Sequence, residues 1–240
     1  MTLMNKVALV TGANRGIGEA LVREMLEAGV AKVYATARDP NKLPDFGDTR
    51  VVPLQLDITD DASVNGVVGA AKDVDILVNN SGTMAFGDVN NAFETFEADM
   101  RTNYFGTLRV LRAFLPHFIA RKSGTIADLS SIVGLAAVKE MAGYSASKAA
   151  LHSITQTLRG QLENDNITVI GIYPGPIETE LAKEVPFPDK PTPQACAAEI
   201  VQGIGEGRTY IFPDPLAKQV EQLYATDMHK LEYVSLHLAP

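Results

Sequence analysis

The chain has 240 residues, which is long enough to bury a hydrophobic core without disulfides and fits a single domain. Its formal net charge of −8 argues against a general affinity for nucleic acid. The single cysteine, Cys196, excludes an internal disulfide framework and fits a reducing compartment. No apolar stretch reaches the length of a membrane span, and the first strand is predicted too close to Met1 to leave room for a signal peptide. We therefore expect a cytoplasmic protein that does not associate with membranes.

Short apolar runs alternate with longer amphipathic segments along the chain. The runs predict strands near Lys6, Lys32, Arg50, Asp75, Thr125, Thr168 and Thr209. The amphipathic segments predict helices at about 16–28, 60–71, 93–121, 143–164 and 192–203. This alternation predicts an α/β fold over residues 1–240, in which helices flank a Rossmann-like, doubly wound parallel sheet of about seven strands. A proline-rich stretch at 186–193 is interpreted as a surface loop, and a tail at about 213–240 follows the last strand.

The first predicted strand leads directly into a glycine-rich segment, TGANRGIG at 11–18. A helix and a second strand are predicted to follow, which is the context in which a glycine pattern indicates a dinucleotide site. Gly12 permits a tight turn, while Gly16 and Gly18 would let the backbone approach a pyrophosphate at the helix N-terminus. A Walker-type phosphate loop is disfavoured because no Gly-Lys-Ser/Thr ends the run. The alternative is a glycine-rich turn that binds no nucleotide.

A phenol and an ammonium group stand four residues apart in YSASK at 144–148. Within a helix these positions lie on one face, so both side chains can serve one site. A lysine charge about 6 Å away favours the phenolate by roughly 3 kcal/mol at an effective dielectric constant of ~20, which would bring the pKa of Tyr144 closer to neutrality. Such a phenol is an efficient proton donor or acceptor. Taken alone, however, the pair could equally belong to a solvated helix face.

With both segments in view, the chain resembles the short-chain dehydrogenase/reductase family, in its branch of shorter members with a Tyr-x-x-x-Lys active site. The resemblance extends from Val7 to about Phe212 and rests on separate motifs in the family's order. They are TGANRGIG at 11–18, Asp57 in LQLDIT, NNSG at 79–82, Asn103 in MRTNYFG, Ser131 thirteen residues before Tyr144, and PGPIET at 174–179. The NNSG segment departs from the family pattern by carrying Ser81 in place of alanine.

The resemblance implies a catalytic set of Asn103, Ser131, Tyr144 and Lys148. Tyr144 would transfer the proton, Ser131 would hydrogen-bond the carbonyl oxygen, and Lys148 would lower the tyrosine pKa and hold the nicotinamide ribose. Asn103 would hold a water that links the lysine to solvent. The implied cofactor-binding residues are Gly12, Asn14, Arg15, Gly16, Ile17, Gly18, Arg38, Asp57, Ile58, Asn80, Ser81, Gly82, Tyr144, Lys148, Pro174, Gly175, Ile177 and Thr179.

Charge at the end of the second predicted strand bears on the choice of cofactor. Family members that select NAD usually end this strand with an acidic residue that hydrogen-bonds the ribose 2′-hydroxyl. This chain has Ala37 at that position, followed by Arg38. Arg15 could supply a second guanidinium for a 2′-phosphate. Asp39 complicates this argument and is interpreted as the first residue of a turn at 39–41. We predict NADP(H) over NAD(H); the alternative is that both arginines are solvated surface charges.

By family position, a lid at about 178–193 should roof the substrate pocket. The implied substrate-binding residues are Ser131, Tyr144, Val138, Met141 and Leu181, with Ala137, Met84 and Phe86 also at the pocket. The lid is mostly apolar, and no cation is obviously placed to hold a carboxylate, although Lys139 and Lys183 remain open. The predicted substrate is therefore a small to medium-sized apolar ketone or aldehyde, or the corresponding alcohol. The tail could cover this pocket or join a subunit interface.

Two long predicted helices carry apolar residues beyond a single stripe, namely Leu108, Leu111, Leu115, Leu151, Ile154 and Leu158. The family commonly pairs such helices, so a homodimer or homotetramer is predicted; the alternative is that the whole set lies in the monomer core. The histidines are dispersed, and no metal site is expected. A non-catalytic NADP(H)-binding sensor would tend to lose part of the catalytic set. An epimerase or dehydratase would generally need a longer C-terminal substrate region.

Overall fold

In a computed structural model that describes residues 3–237, seven strands form one parallel sheet. The strands are β1 (Val7–Val10), β2 (Lys32–Ala37), β3 (Val51–Gln55), β4 (Ile76–Asn79), β5 (Gly124–Leu129), β6 (Ile167–Ile172) and β7 (Tyr210–Ile211). Their order in the sheet is β3-β2-β1-β4-β5-β6-β7, which confirms the fold class predicted from the sequence.

Helices cover both faces of the sheet because successive strand residues point to opposite sides. The helices are α1 (Gly16–Glu27), α2 (Asp61–Ala70), α3 (Phe93–Asp99), α4 (Thr107–Arg121), α5 (Ala142–Gln161), α6 (Pro193–Glu206), α7 (Pro215–Thr226) and α8 (Met228–Leu236). Ala8 and Val10 of β1 pack with α1 and α6, whereas Leu9 between them packs with α2, α4 and α5.

The helix predicted at 93–121 is present as a continuous helical stretch. Its middle, Met100–Gly106, is π-helical, joins α3 to α4 and contains Asn103. Such segments insert an extra residue into the helical ladder and often occur at functional sites. Apolar periodicity does not show this local change, because it does not register a single inserted residue.

The tail contains two helices that the sequence analysis did not predict. The carboxylate of Asp214 accepts a hydrogen bond of 2.9 Å from the Ala217 amide, and Pro215 occupies the first helical position of α7. This Asp-Pro pair is a helix-start signal that could have been recognised. Both helices pack on Tyr173 and Phe212 in a small hydrophobic cluster. Residues 238–240 of the predicted tail lie outside the described residues.

The order of strands reverses between β1 and β4, which places a crevice at their carboxyl ends. The loop after β1 carries the glycine-rich segment, and the loop after β4 carries NNSG at 79–82. The loops after β5 and β6 carry Ser131 and Pro174. The topology therefore brings motifs that are far apart in sequence to one edge of the sheet.

Candidate active site

A cavity of about 1230 Å³ opens along the carboxyl edge of the sheet. Its volume exceeds the several hundred cubic ångströms of a typical small-molecule pocket, so it has room for a dinucleotide together with a substrate. Every predicted cofactor- and substrate-binding residue lines it. Asn103 of the predicted catalytic set does not reach the wall, and neither does Ala137, which the sequence analysis had placed at the pocket.

The glycine-rich segment forms the turn that enters α1. Gly12 and Gly16 have φ angles of 67° and 58°, which favour glycine at both positions. Gly18 also allows close packing within the turn, because a side chain there would collide with the Gly12 carbonyl oxygen. No side chain caps the amides at the start of α1, which line the cavity. These free amides suit an anion such as a pyrophosphate.

The NNSG loop is tied to the glycine-rich turn. Asn80 Nδ2 donates hydrogen bonds of 2.8 and 3.1 Å to the carbonyl oxygens of Thr11 and Gly12. The amides of Asn80 and Ser81 both donate to Thr11 Oγ1 at 2.9 Å. The side chain of Asn80 therefore shapes the turn, although the residue also lines the cavity.

Ser131, Tyr144 and Lys148 lie together at the inner wall of the cavity. Ser131 follows β5; its hydroxyl donates a hydrogen bond of 3.2 Å to the Pro174 carbonyl oxygen and also interacts with the Tyr144 phenol. Lys148 Nζ lies 5.7 Å from the centroid of the Tyr144 ring and donates a hydrogen bond of 2.8 Å to the Leu129 carbonyl oxygen. Tyr144 and Lys148 are only 8% and 3% exposed, so solvent screens their charges poorly.

The expected lowering of the Tyr144 pKa by Lys148 was wrong for this structure. Burial raises the pKa of Tyr144 well above its usual range; the hydrogen bond from Ser131 lowers it, and Asp99 raises it. Burial likewise lowers the pKa of Lys148 to about 8, opposed by the carboxylates of Asp99 and Asp128. The estimate from sequence omitted the cost of moving either charged form out of water.

Asn103 lies behind this wall and is fully buried. Its Oδ1 accepts a hydrogen bond of 2.8 Å from the Thr83 amide, and its Nδ2 donates at 2.9 Å to both the Thr83 carbonyl and Ser147 Oγ. A methyl group placed on Gly82 would lie 3.0 Å from Asn103 Oδ1 and 3.7 Å from Lys148 Nζ. Asn103 is thus near the lysine, but both hydrogens of its amide are already used within the protein.

Three cationic side chains line the end of the cavity beside β2, namely Arg15, Arg38 and Lys42. Lys42 was missed by the sequence analysis, although it follows Arg38 by one short turn. Asp39 also lines the cavity, but its carboxylate accepts hydrogen bonds of 3.1 Å from both nitrogens of Asn41 and caps the short 3₁₀ helix Pro40–Lys42. This agrees with the interpretation of Asp39 as a turn residue.

Asp57 stands close to this cationic end. Its Oδ1 accepts hydrogen bonds from the amide and hydroxyl of Thr59 at 2.8 and 2.7 Å. Burial opposes ionisation, but these bonds and the nearby Arg38 hold the pKa of Asp57 below its ordinary value. The side chain is therefore an anion placed on the cavity wall.

The other end of the cavity is mostly apolar. Its wall includes Met84, Phe86, Val138, Met141, Leu181, Val185, Phe187 and Leu216. The carboxylate-bearing residues of this end are Glu140, Glu180 and Glu184, whereas Ala137, Lys139 and Lys183 do not line it. Leu216 belongs to α7, so the tail contributes to the wall, which the sequence had left undecided.

Among residues 3–237, no group of three or more His, Cys, Asp or Glu side chains is arranged to hold a metal ion. A helix with the length and hydropathy needed to span a bilayer does not occur in that part of the chain either.

Comparison with known proteins agrees with this geometry. A family model described as short chain dehydrogenase matches residues 6–189. An oxidoreductase of Staphylococcus saprophyticus is 36% identical over 192 residues, which cover 75% of this chain and 82% of that protein. A short chain dehydrogenase from Burkholderia cenocepacia, solved in complex with NADP, superposes with a TM-score of 0.92 at 36% identity and full coverage of both chains. A protein from Burkholderia phymatum, solved with NAD, has a TM-score of 0.86 at 22% identity over 100% of this chain and 99% of that one, a likeness of fold alone.

Proposed function

The chain belongs to the short-chain dehydrogenase family, and from that premise we propose that it is an NADP(H)-dependent oxidoreductase acting on a ketone or aldehyde, or on the corresponding alcohol. The observation that carries this proposal is the convergence of Ser131, Tyr144 and Lys148 at the point where the dinucleotide-sized cavity meets its apolar end. The proton donor Tyr144, the hydrogen-bonding hydroxyl of Ser131 and the buried ammonium of Lys148 would then all face one reacting carbonyl group.

Each of these side chains has a chemical task. The Ser131 hydroxyl would hydrogen-bond the carbonyl oxygen and orient it. Tyr144 would give its proton to that oxygen, and burial favours the protonated phenol from which this transfer starts. Lys148 would stabilise the phenolate that remains after proton transfer. A bound nicotinamide would supply the hydride.

The preference for NADP(H) is supported by the cations at the β2 end of the cavity. Arg15, Arg38 and Lys42 can all approach a 2′-phosphate, and Ala37 presents no carboxylate to repel it. The NADP bound to the Burkholderia cenocepacia protein, at 36% identity, adds support. Bidentate arginine contacts would supply most of the discrimination.

The substrate proposal follows from the other end of the cavity. Its apolar wall favours a small to medium-sized apolar carbonyl compound, and its three glutamates disfavour an anionic one. We further propose that the chain acts in the cytoplasm, where its buried thiol at Cys196 stays reduced, and that it forms a homodimer or homotetramer.

One experiment tests the function directly. The purified protein is given a panel of apolar ketones and aldehydes with NADPH or NADH, and absorbance of the reduced cofactor is followed. We expect oxidation of NADPH with at least one apolar ketone and a matching alcohol product. Tight NADPH binding without turnover across the panel would instead indicate a non-catalytic sensor. Formation of an isomer without net NADPH consumption would indicate an epimerase.

A further inference from the structure

Asp99 is a buried carboxylate behind the catalytic wall that the chemistry described above does not use. It is the last residue of α3 and only 1% of its surface is exposed. Burying a carboxylate is costly unless hydrogen bonds and a nearby positive charge compensate it. The groups that provide this compensation therefore indicate what Asp99 does.

On one side, the Asp99 carboxylate accepts hydrogen bonds from the segment at 83–85. Thr83 Oγ1 donates to Asp99 Oδ1 at 3.2 Å, and the Ala85 amide donates to Asp99 Oδ2 at 3.3 Å. Asn103, one helical turn later, binds the backbone amide and carbonyl of the same Thr83. Asp99 and Asn103 together fix the segment that brings Met84 into the cavity wall.

The other side of Asp99 contacts α5. A methyl group placed on Gly143 would lie 3.5 Å from Asp99 Oδ2, so α3 and α5 are in close contact there. Asn103 makes a second contact through Ser147 Oγ. Gly143 and Ser147 directly precede Tyr144 and Lys148, so the two contacts set the positions of the catalytic side chains on α5.

The charge of Asp99 also acts on Lys148. Burial lowers the pKa of Lys148 to about 8, and Asp99 is the foremost group that opposes this effect, followed by Asp128. Conversely, burial raises the pKa of Asp99, while its hydrogen bonds and the Lys148 ammonium lower it. The charged and titratable groups facing Lys148 are thus Asp99 from α3, Asp128 from β5 and Tyr144 from its own helix.

We propose that Asp99 is a positioning residue for the reaction, which fixes the 83–85 segment against α5 and maintains the positive charge on Lys148. The inference rests on the proposed oxidoreductase function, in which an ammonium at Lys148 stabilises the phenolate left on Tyr144. The two contributions are separable, because the first depends on hydrogen bonds and the second on charge.

Two variants separate them. Asp99→Asn removes the charge and nearly preserves the shape, whereas Thr83→Val removes one hydrogen bond and preserves the charge. For Asp99→Asn we expect the alkaline fall of kcat/KM in ketone reduction to move to lower pH. Above the pH midpoint of the wild-type fall, kcat/KM should be about tenfold lower than in wild type, and below that midpoint the loss should be much smaller. Thr83→Val should lower kcat/KM evenly and leave the midpoint in place. If the alkaline midpoint of kcat/KM in Asp99→Asn equals that of wild type, the proposal is overturned.

The charge on Lys148 can also be measured without turnover. In full-length protein labelled with 13Cε-lysine and assigned through Lys148→Arg, the NMR titration midpoint of Lys148 should be lower in Asp99→Asn than in wild type. An unchanged midpoint overturns the proposal even where ketones are reduced. A lowered midpoint without turnover on any ketone supports the link between Asp99 and Lys148 and removes the proposed function instead.

A measurement on the wild type covers the case in which Asp99→Asn does not fold. The 13Cγ resonance of Asp99 should show an inflection at the titration midpoint of Lys148, because each group senses the charge of the other. A flat Asp99 signal through that pH would overturn the proposal.

Discussion

The ammonium group of Lys148 lies 5.7 Å from the centre of the Tyr144 ring and is only 3% exposed, so the cation and the phenol share one desolvated site. In such a site, moving a proton from the phenol to a substrate creates a negative charge that only buried partners can compensate. The first two predictions separate the proton donor from the cation that supports it.

Tyr144→Phe is expected to lower kcat for ketone reduction by at least about a hundredfold, the scale of a lost general acid. NADPH binding, measured by fluorescence titration, should be nearly unchanged because the ring remains in place. A kcat within a few-fold of wild type would remove Tyr144 from the mechanism.

Lys148→Met is expected to stabilise the fold at pH 7 while abolishing activity. The pKa of Lys148 falls from 10.5 to about 8 on folding, because burial disfavours the ammonium form. Below pH 8 the folded state is therefore destabilised by this buried charge. That cost is about 3 kcal/mol and disappears as pH rises from 8 to 10.5. Asp99 and Asp128 lose their cation in the variant, which offsets part of this gain at pH 7.

Urea unfolding of wild type and Lys148→Met at pH 7 and at pH 10 provides the measurement. The difference in the free energy of unfolding should shrink at the higher pH. A variant that is less stable than wild type at pH 7 would contradict the prediction, since it would mean that the ammonium stabilises the fold.

Ala37→Asp combined with Arg38→Leu is expected to move the preference from NADPH toward NADH by two or more orders of magnitude in kcat/KM. The change removes one charge-assisted contact, worth about 1.5–3 kcal/mol, and places a like charge near the phosphate. Arg15→Ala and Lys42→Ala should each weaken NADPH use by about tenfold and barely change NADH use. A wild-type protein that uses both cofactors equally well would refute this assignment.

The chain is expected to form an oligomer through the outer faces of α4 and α5. Leu111, Leu151 and Leu158 are buried in the monomer, but Leu108, Leu115 and Ile154 remain partly exposed, and Phe105 before α4 is 49% exposed. Light scattering at micromolar concentration should report at least twice the 25.8 kDa of one chain. Phe105→Arg and Ile154→Arg should lower that mass, whereas Tyr233→Arg on α8 serves as a control. A 26 kDa wild-type particle would contradict the prediction.

Local patterns predicted most of the site because each motif keeps its own spacing. TGANRGIG and the Tyr144–Lys148 pair are recognisable within a few residues, and parallel topology brings them together at one edge of the sheet. Asp99 and Thr83 gave no such signal, since an aspartate in an amphipathic helix is normally solvated. Their contact joins residues sixteen positions apart, which no short window of sequence shows.

Pairwise charge arguments failed for a related reason. The sign of the pKa shift of Tyr144 was not predicted from the lysine charge, because burial depends on the whole fold. The motif around Asn80 likewise did not show that its side-chain amide also holds the carbonyl oxygens of the glycine-rich turn.

Leu216 on α7 lies in the cavity wall but outside residues 6–189, the part of the chain that matches the family model. Ala217 and Val220 of α7 belong to the small hydrophobic cluster around Tyr173 and Phe212. This cluster also contains Ile132 and packs against Val133, next to Ser131. Substitutions in this tail can therefore reshape the space beside Ser131 while leaving the glycine-rich turn, Tyr144 and Lys148 untouched.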